Sequence, residues 1–374
     1  MSAAPKRILV RGVNWLGDAV MTTSAMFRLR ERFPQAHVTL LTPEKLAGLW
    51  EKQSWLNEVI TFGAEDSLWG VAKKLRAGNF DTGLVLPNST RSALELWLGG
   101  VGNRTGYGGR ARSLLLNQVV ERTPGLVAMR KRTVAEIHRL VAGEADTAPK
   151  PSFKDHQLHH YLHLVAALGA SAEPLFPKIE TDLTEREAVW AKFGLPKDGK
   201  PVFGLNPGAE YGPAKRWSAE NFITVAGQVN QQVDGHWLVF GGKGDVALAE
   251  QVVNGVKAQL RAAGSGAVVN LAGRTGLREL ALILSGCRVV LTNDTGPMHL
   301  AAAVGTRLVA IFGSTSPELT GPGLPGDEKV AFLRGNSPCQ PCFLRECPVD
   351  RRCLTSVPVD LVVREVVKMT QFSA

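Results

Sequence analysis

The sequence predicts an α/β protein built from two doubly wound domains facing a central cleft. Three observations predict it. Short apolar runs alternate with amphipathic stretches, the mark of parallel strands joined by crossover helices. The alternation lapses in a Pro- and charge-rich stretch and then begins again. Finally, 374 residues are enough for two cores of ordinary size. The expected boundaries are 1–172 for the N-terminal domain, 173–200 for a linker region, 201–357 for the C-terminal domain and 358–374 for a closing helix.

In order along the chain, Ile8–Arg11 reads as a strand, and a helical pattern runs from Asp18 to Arg32. His37–Leu41 is followed by an amphipathic stretch, Pro43–Glu51. Val59–Phe62, a helix over Ser67–Ala77 and the buried-looking strand Thr82–Leu86 come next. A helix is expected over His156–Leu168, and the linker holds a short one at Thr184–Phe193. In the second half the spacing predicts strands at Val202–Asn206, Trp237–Phe240, Val268–Asn270, Val289–Thr292 and Leu308–Phe312. In sheets of this kind ligands bind at the carboxyl ends of the strands, so the strand-to-helix loops are where chemistry is expected.

Composition narrows the functional class. The chain is 44% apolar and 21% charged, as globular proteins are. The most apolar stretch, Val289–Phe312, is interrupted by Asn293, Asp294, His299 and Arg307, so no membrane span is expected. The first residues, Met1 to Ile8, run into a strand pattern without a signal-peptide apolar region, which places the protein in the cytoplasm. Of the net charge of +9, Arg104–Arg139 carries seven Arg and Lys131 against Glu121 and Glu136, a net of +6. This is either a solvated basic face or a contact for an anionic partner. No motif with interleaved aromatics accompanies it, so nucleic acid is not expected.

Three loops carry candidate chemistry. The first, Arg11-Gly-Val-Asn-Trp-Leu-Gly-Asp18, has Asp18 where a phosphate-binding loop needs Lys, and it lacks the dinucleotide fingerprint. It presents a carboxylate at a helix N-terminus, either as a cap or as a base for an acceptor hydroxyl. The second is Asn206-Pro-Gly-Ala-Glu-Tyr-Gly-Pro-Ala-Lys-Arg-Trp217. Lys215 and Arg216 stand before a helix start, where cations are unfavourable unless an anion such as a diphosphate binds. Trp217 is expected to pack. The third is Leu291-Thr-Asn-Asp-Thr-Gly-Pro-Met-His299. Here Thr295 or Asp294 can cap, Gly296 allows close approach, and free N–H groups with His299 suit a diphosphate. Gly241-Gly-Lys-Gly-Asp245 is a weaker candidate for lining the nucleoside, through Gly241 and Lys243. The cysteines Cys339, Cys342, Cys347 and Cys353 have a spacing that admits structural zinc without matching a standard ribbon, and Cys287 reads as core.

At these loops the chain resembles the lipopolysaccharide heptosyltransferases, most closely the heptosyltransferase II group. The matching residues are Asn14-Trp-Leu-Gly-Asp18, Pro207–Trp217 and Thr292–His299, with the tail around Arg345-Glu-Cys-Pro348 also similar. The resemblance implies a GT-B fold with an N-terminal acceptor domain and a C-terminal nucleotide-sugar domain. It implies ADP-heptose as a substrate, no required cofactor, and a heptosyl-Kdo-lipid A acceptor at the inner face of the inner membrane. Asp18 matches the family's base, Lys215 its diphosphate-binding lysine, and Asp294, Thr295, Gly296 and His299 its donor motif. Asn14, Gly17, Arg216, Gly241 and Lys243 are secondary donor candidates. Arg110, Arg112, Arg130 and Arg132 are assigned to acceptor phosphates from charge alone. The GT-B resemblance also implies that the closing helix, Val359–Met369, crosses back to the first domain. Alternatives are a heptosyltransferase for another core position, a sugar-nucleotide epimerase, and a non-catalytic binding protein.

Overall fold

The computed structural model describes residues 4–263 and 266–371. Met1–Ala3, on which the reading of the chain start partly rests, and residues 372–374 of the expected closing segment lie outside them. The first sheet contains β1 (Arg7–Arg11), β2 (His37–Pro43), β3 (Glu58–Phe62), β4 (Thr82–Val85), β5 (Asn103–Tyr107) and β6 (Gln118–Val120). The second contains β7 (Val202–Asn206), β8 (His236–Val239), β9 (Val268–Asn270), β10 (Val289–Asn293), β11 (Arg307–Phe312) and β12 (Val330–Arg334). All pairings are parallel.

The strand orders are β3-β2-β1-β4-β5-β6 and β12-β11-β10-β7-β8-β9. Each sheet therefore reverses its direction of winding once, between β1 and β4 in the first and between β7 and β10 in the second. This is the doubly wound order, with one topological switch point per sheet. The central strands are buried almost throughout, which is why they read as continuous apolar runs rather than alternating ones. Each sheet is thus doubly wound α/β, as expected. Three edge or near-edge strands escape the sequence pattern. β5 (Asn-Arg-Thr-Gly-Tyr) is largely polar, β6 (Gln-Val-Val) has only three residues, and β12 is only partly buried. The stretch Pro43–Glu51 forms a 3-10 helix, Glu44–Trp50.

The chain divides into two compact units, Met1–Leu126 with His156–Glu180, and Val127–Asp155 with Thr181–Ala374. This corrects the contiguous boundaries expected at 172 and 200. Val127–Asp155 belongs to the second unit because Ile137 and Leu140 are buried with Cys339 and Cys342. The closing helix, Val359–Gln371, also belongs to the second unit. Its buried face, Val362, Val363, Val366 and Met369, joins the core formed by Phe203, Phe222 and Trp237. Burial of such side chains stabilises by roughly 1.5–3 kcal/mol each. The expected crossing back to the first domain is corrected on that ground. Among the described residues no helix is long and apolar enough to cross a membrane.

Candidate functional site

In the first unit, β1 delivers the chain to the switch point. Gly12 follows, and a Cβ there would lie 3.2 Å from the Leu41 carbonyl oxygen. Beneath the loop, Arg11 and Glu95 form a buried ion pair with Nε and Oε2 2.8 Å apart. The Arg11 guanidinium lies 4.4 Å from the Phe62 ring centroid and donates to Asn14 Oδ1 at 3.2 Å. Asn14 itself is exposed, and Gly17 is half-buried.

The helix that follows is Leu16–Arg32, and its N-cap is Trp15, which makes no side-chain cap bond. Asp18 is thus the third helical residue, not the cap. It lies in the first turn, where the helix dipole favours its charge. Tyr161, on helix Gln157–Ala166, donates its hydroxyl to Asp18 Oδ1 at 3.3 Å. Burial first, and the Asp18 charge second, hold the Tyr161 phenol well above its usual range. It therefore remains a donor at any working pH. Nothing in the sequence pattern singled it out, because an aromatic on a helix face reads as core.

In the second unit, the loop after β7 is shaped by close approach. A Cβ on Gly208 would lie 2.5 Å from the Asp245 carboxyl carbon, and one on Gly212 would lie 2.6 Å from the Arg345 carbonyl oxygen. Gly241 and the exposed Lys243 belong to the turn that carries Asp245. Arg216 is split between roles. It donates to the Ala209 carbonyl at 3.1 Å and is 3.8 Å from Asp245, with its side chain 42% exposed. Trp217 is buried against Phe222, as expected of a packing residue.

Lys215 Nζ lies 2.6 Å from Asp294 Oδ2, and Thr315 Oγ1 donates to the same oxygen. The lysine also stands 5.0 Å from the centroid of Tyr211, whose hydroxyl donates to the Phe343 carbonyl at 2.7 Å. Asp294 is buried, so it acts on Lys215 more directly than on a ligand. Thr295 occupies the N-cap position of helix Gly296–Ala303 without a side-chain cap bond, and its hydroxyl accepts from Asn206 at 2.9 Å. Pro297 has no N–H, and the Met298 N–H donates to the Thr295 carbonyl at 3.2 Å. The expected row of open N–H groups is therefore reduced to Gly296 over these three residues. His299 is buried. Tyr211, Asn206 and Arg345 complete this region from within the motif segments, where they carried no assigned role, and Thr315 was missed, since their partners come from distant segments.

The four acceptor arginines fare unequally. Arg112 is buried, donating to the carbonyls of Tyr107 and Ser89 at 2.8 and 3.0 Å, and burial foremost lowers its pKa to about 10. Arg132 is buried too. It pairs with Glu136 and Asp146 and donates to the Pro341 carbonyl at 3.0 Å. Both are structural, because a guanidinium already satisfied inside the fold has no donors left for phosphate. Arg130 is exposed but bidentate to Glu136. Arg110 is exposed, at φ 35°.

The four tail cysteines line one small cavity with Ile137 and Ser314. Burial raises the Cys342 thiol and pushes Cys353 up to about 12. Among the described residues no group of three or more His, Cys, Asp or Glu is arranged to hold a metal ion. Cys287 is buried, as expected of core. The tail braces the loop after β7, with the Ala214 N–H donating to the Arg345 carbonyl at 3.0 Å.

The class this fold and these loops define is a two-unit, doubly wound α/β protein with a charged loop at each switch point. The family model for glycosyltransferase family 9 (heptosyltransferase) matches residues 68–352. Lipopolysaccharide heptosyltransferase 2 of Salmonella typhimurium is 29% identical over 324 residues, covering 84% of this chain and 85% of that protein. Lipooligosaccharide heptosyltransferase 2 of Haemophilus influenzae is 30% identical over 321 residues, with 84% and 85% covered. The solved structure of E. coli ADP-heptose LPS heptosyltransferase II superposes with a TM-score of 0.75 at 26% identity, over 97% of this chain and 98% of that one. The chain belongs to glycosyltransferase family 9 and is a glycosyltransferase.

Proposed function

We propose that this enzyme moves L-glycero-D-manno-heptose from ADP-heptose onto the heptosyl-Kdo-lipid A inner core of lipopolysaccharide, with inversion. The names of the relatives support the sugar and the acceptor class. The observation that carries the chemistry is the Lys215–Asp294 pair at a switch point, a fixed cation where doubly wound sheets take ligands. The acceptor hydroxyl attacks the anomeric carbon as the bond from that carbon to the diphosphate oxygen breaks. The hydroxyl proton passes to Asp18, and ADP departs with the bonding electrons. Lys215 meets the charge growing on the diphosphate, while Asp294 and Thr315 hold its ammonium in place. The reading calls for no cofactor and no nucleic acid. It places the enzyme at the cytoplasmic face of the inner membrane, bound peripherally to anionic lipid.

Mass spectrometry of truncated core acceptors incubated with ADP-heptose and purified protein tests this. A gain of one heptose on the singly heptosylated acceptor is expected. Donor conversion without acceptor, or addition to a different truncation, would overturn it.

A further inference from the structure

Helices Leu68–Arg76 and Thr90–Leu98 bury Val71, Leu75, Ala93 and Leu96 in one cluster with Leu9, Leu41 and Val85 of the first sheet. They therefore lie side by side on one face of that sheet. The 3-10 turn Arg110–Leu115 packs against the second helix, and its Leu115 joins the same cluster. A helix that buries one stripe turns the opposite stripe outward. On this layer the outward side chains include Trp69, Trp97 and Leu114, which are 63%, 49% and 85% exposed. Scattered single apolar residues on a surface are ordinary. Here three large ones, two of them tryptophan, fall on one layer.

The charge of the layer has one sign. Lys73, Arg76, Arg91 and Arg110 are exposed on these three elements. Trp69, Lys73 and Arg76 follow at intervals of four and three, so they share a stripe. The carboxylate the elements contain, Glu95, is buried on Arg11, with Arg91 also bonded to it. In the preceding loop Asp66 is taken up by Lys74, and Glu65 is exposed.

We propose that this layer is the membrane-docking surface. Trp69, Trp97 and Leu114 enter the headgroup region of an anionic bilayer, and Lys73, Arg76, Arg91 and Arg110 meet lipid phosphates. Tryptophan favours that depth, and basic side chains add attraction to anionic lipid. The inference rests on the peripheral-enzyme reading above and deepens it. It moves the contact away from the Arg104–Arg139 stretch as a whole, since Arg112 and Arg132 are internal.

The test is sedimentation of the full chain with phosphatidylcholine vesicles, with and without equimolar phosphatidylglycerol. Wild type is expected to bind the mixed vesicles, and a Trp69→Ser/Trp97→Ser/Leu114→Ser variant to bind them at least about tenfold more weakly. Lys73→Glu/Arg76→Glu should do the same, while Arg130→Glu changes binding by less than about twofold. Turnover on a soluble, deacylated acceptor should be unchanged in the triple variant. If that variant loses turnover as well, the charge pair decides by the same criterion, because it disturbs no packing. Unchanged binding by the variants that retain turnover overturns this surface and leaves the peripheral reading standing. Wild type that binds neither vesicle overturns both, and equal binding to both vesicles overturns the anionic contact.

Discussion

The loop after β1 and the loop after β7 hold the same place in two sheets of the same strand order, yet they are held in opposite ways. The first is short and presents a carboxylate in the opening turn of a helix, where the dipole already favours it. Its support is local, from a phenol on a neighbouring helix and a buried ion pair beneath. The second is long and presents an ammonium ahead of a helix start, where the dipole opposes it. That cation needs outside anchors, which Asp294, Thr315 and the cysteine-rich tail supply. The sign of the charge a loop must hold decides how much of the rest of the chain is recruited to hold it.

The largest effect expected is from Asp18→Asn. It should lower kcat by about 10²–10⁴-fold, the usual contribution of a general base, with ADP affinity retained. Normal turnover in that variant removes Asp18 as the base. Lys215→Ala comes next, with kcat falling by about 10²–10³-fold as for loss of one charge-stabilising donor, and ADP binding weakened as well. Calorimetry showing unchanged ADP affinity would break the contrast between the two loops, since only the second is assigned to the diphosphate.

Much of this was legible in the sequence. The central strands announced themselves because burial on both faces forces unbroken apolar runs such as Ile8–Val10. Asp18 and Lys215 stand out as candidates because each carries a charge at a glycine-rich strand-to-helix turn. What supports them was not. Tyr161 lies 143 residues from Asp18, and Thr315 and Arg345 come from separate segments, so no local spacing joins them. The basic stretch misled for the same reason. A guanidinium buried on backbone carbonyls, as Arg112 is, has the same letter as one that greets a phosphate.

Tyr161→Phe tests the local support of the first loop. Losing a hydrogen bond to a carboxylate should lower kcat by about tenfold, with the KM for ADP-heptose nearly unchanged. The decisive measurement is the same substitution in an Asp18→Asn background, where it should have no further effect if Tyr161 works through Asp18. Equal losses in both backgrounds, with a lowered Tm, would make Tyr161 a packing residue alone.

The smallest effect tests the remote support of the second loop. Glu136 receives both Arg130 and Arg132, and Arg132 in turn donates to the Pro341 carbonyl at the base of the tail that holds Ala214. Arg130's hydrogen bond, foremost, and Arg132's hold the Glu136 carboxyl down at about 2, from its usual 4.5, although partial burial works against them. A folded-state value below the unfolded one means that the pair stabilises above about pH 4.5, and that this contribution fades as pH falls toward 2. Glu136→Gln removes it at every pH. The Tm of wild type should therefore drop more steeply than that of the variant between these limits, and the two curves should converge at the acid end. Near neutrality the variant should bind ADP slightly more weakly, by about two- to threefold, because the tail that steadies Lys215 is loosened. Its Tyr161–Asp18 coupling should stay as in wild type, since that support is local. Parallel Tm curves would mean that Glu136 titrates alike in the folded and unfolded chain, and a changed coupling would mean that the two loops do not draw on separate supports.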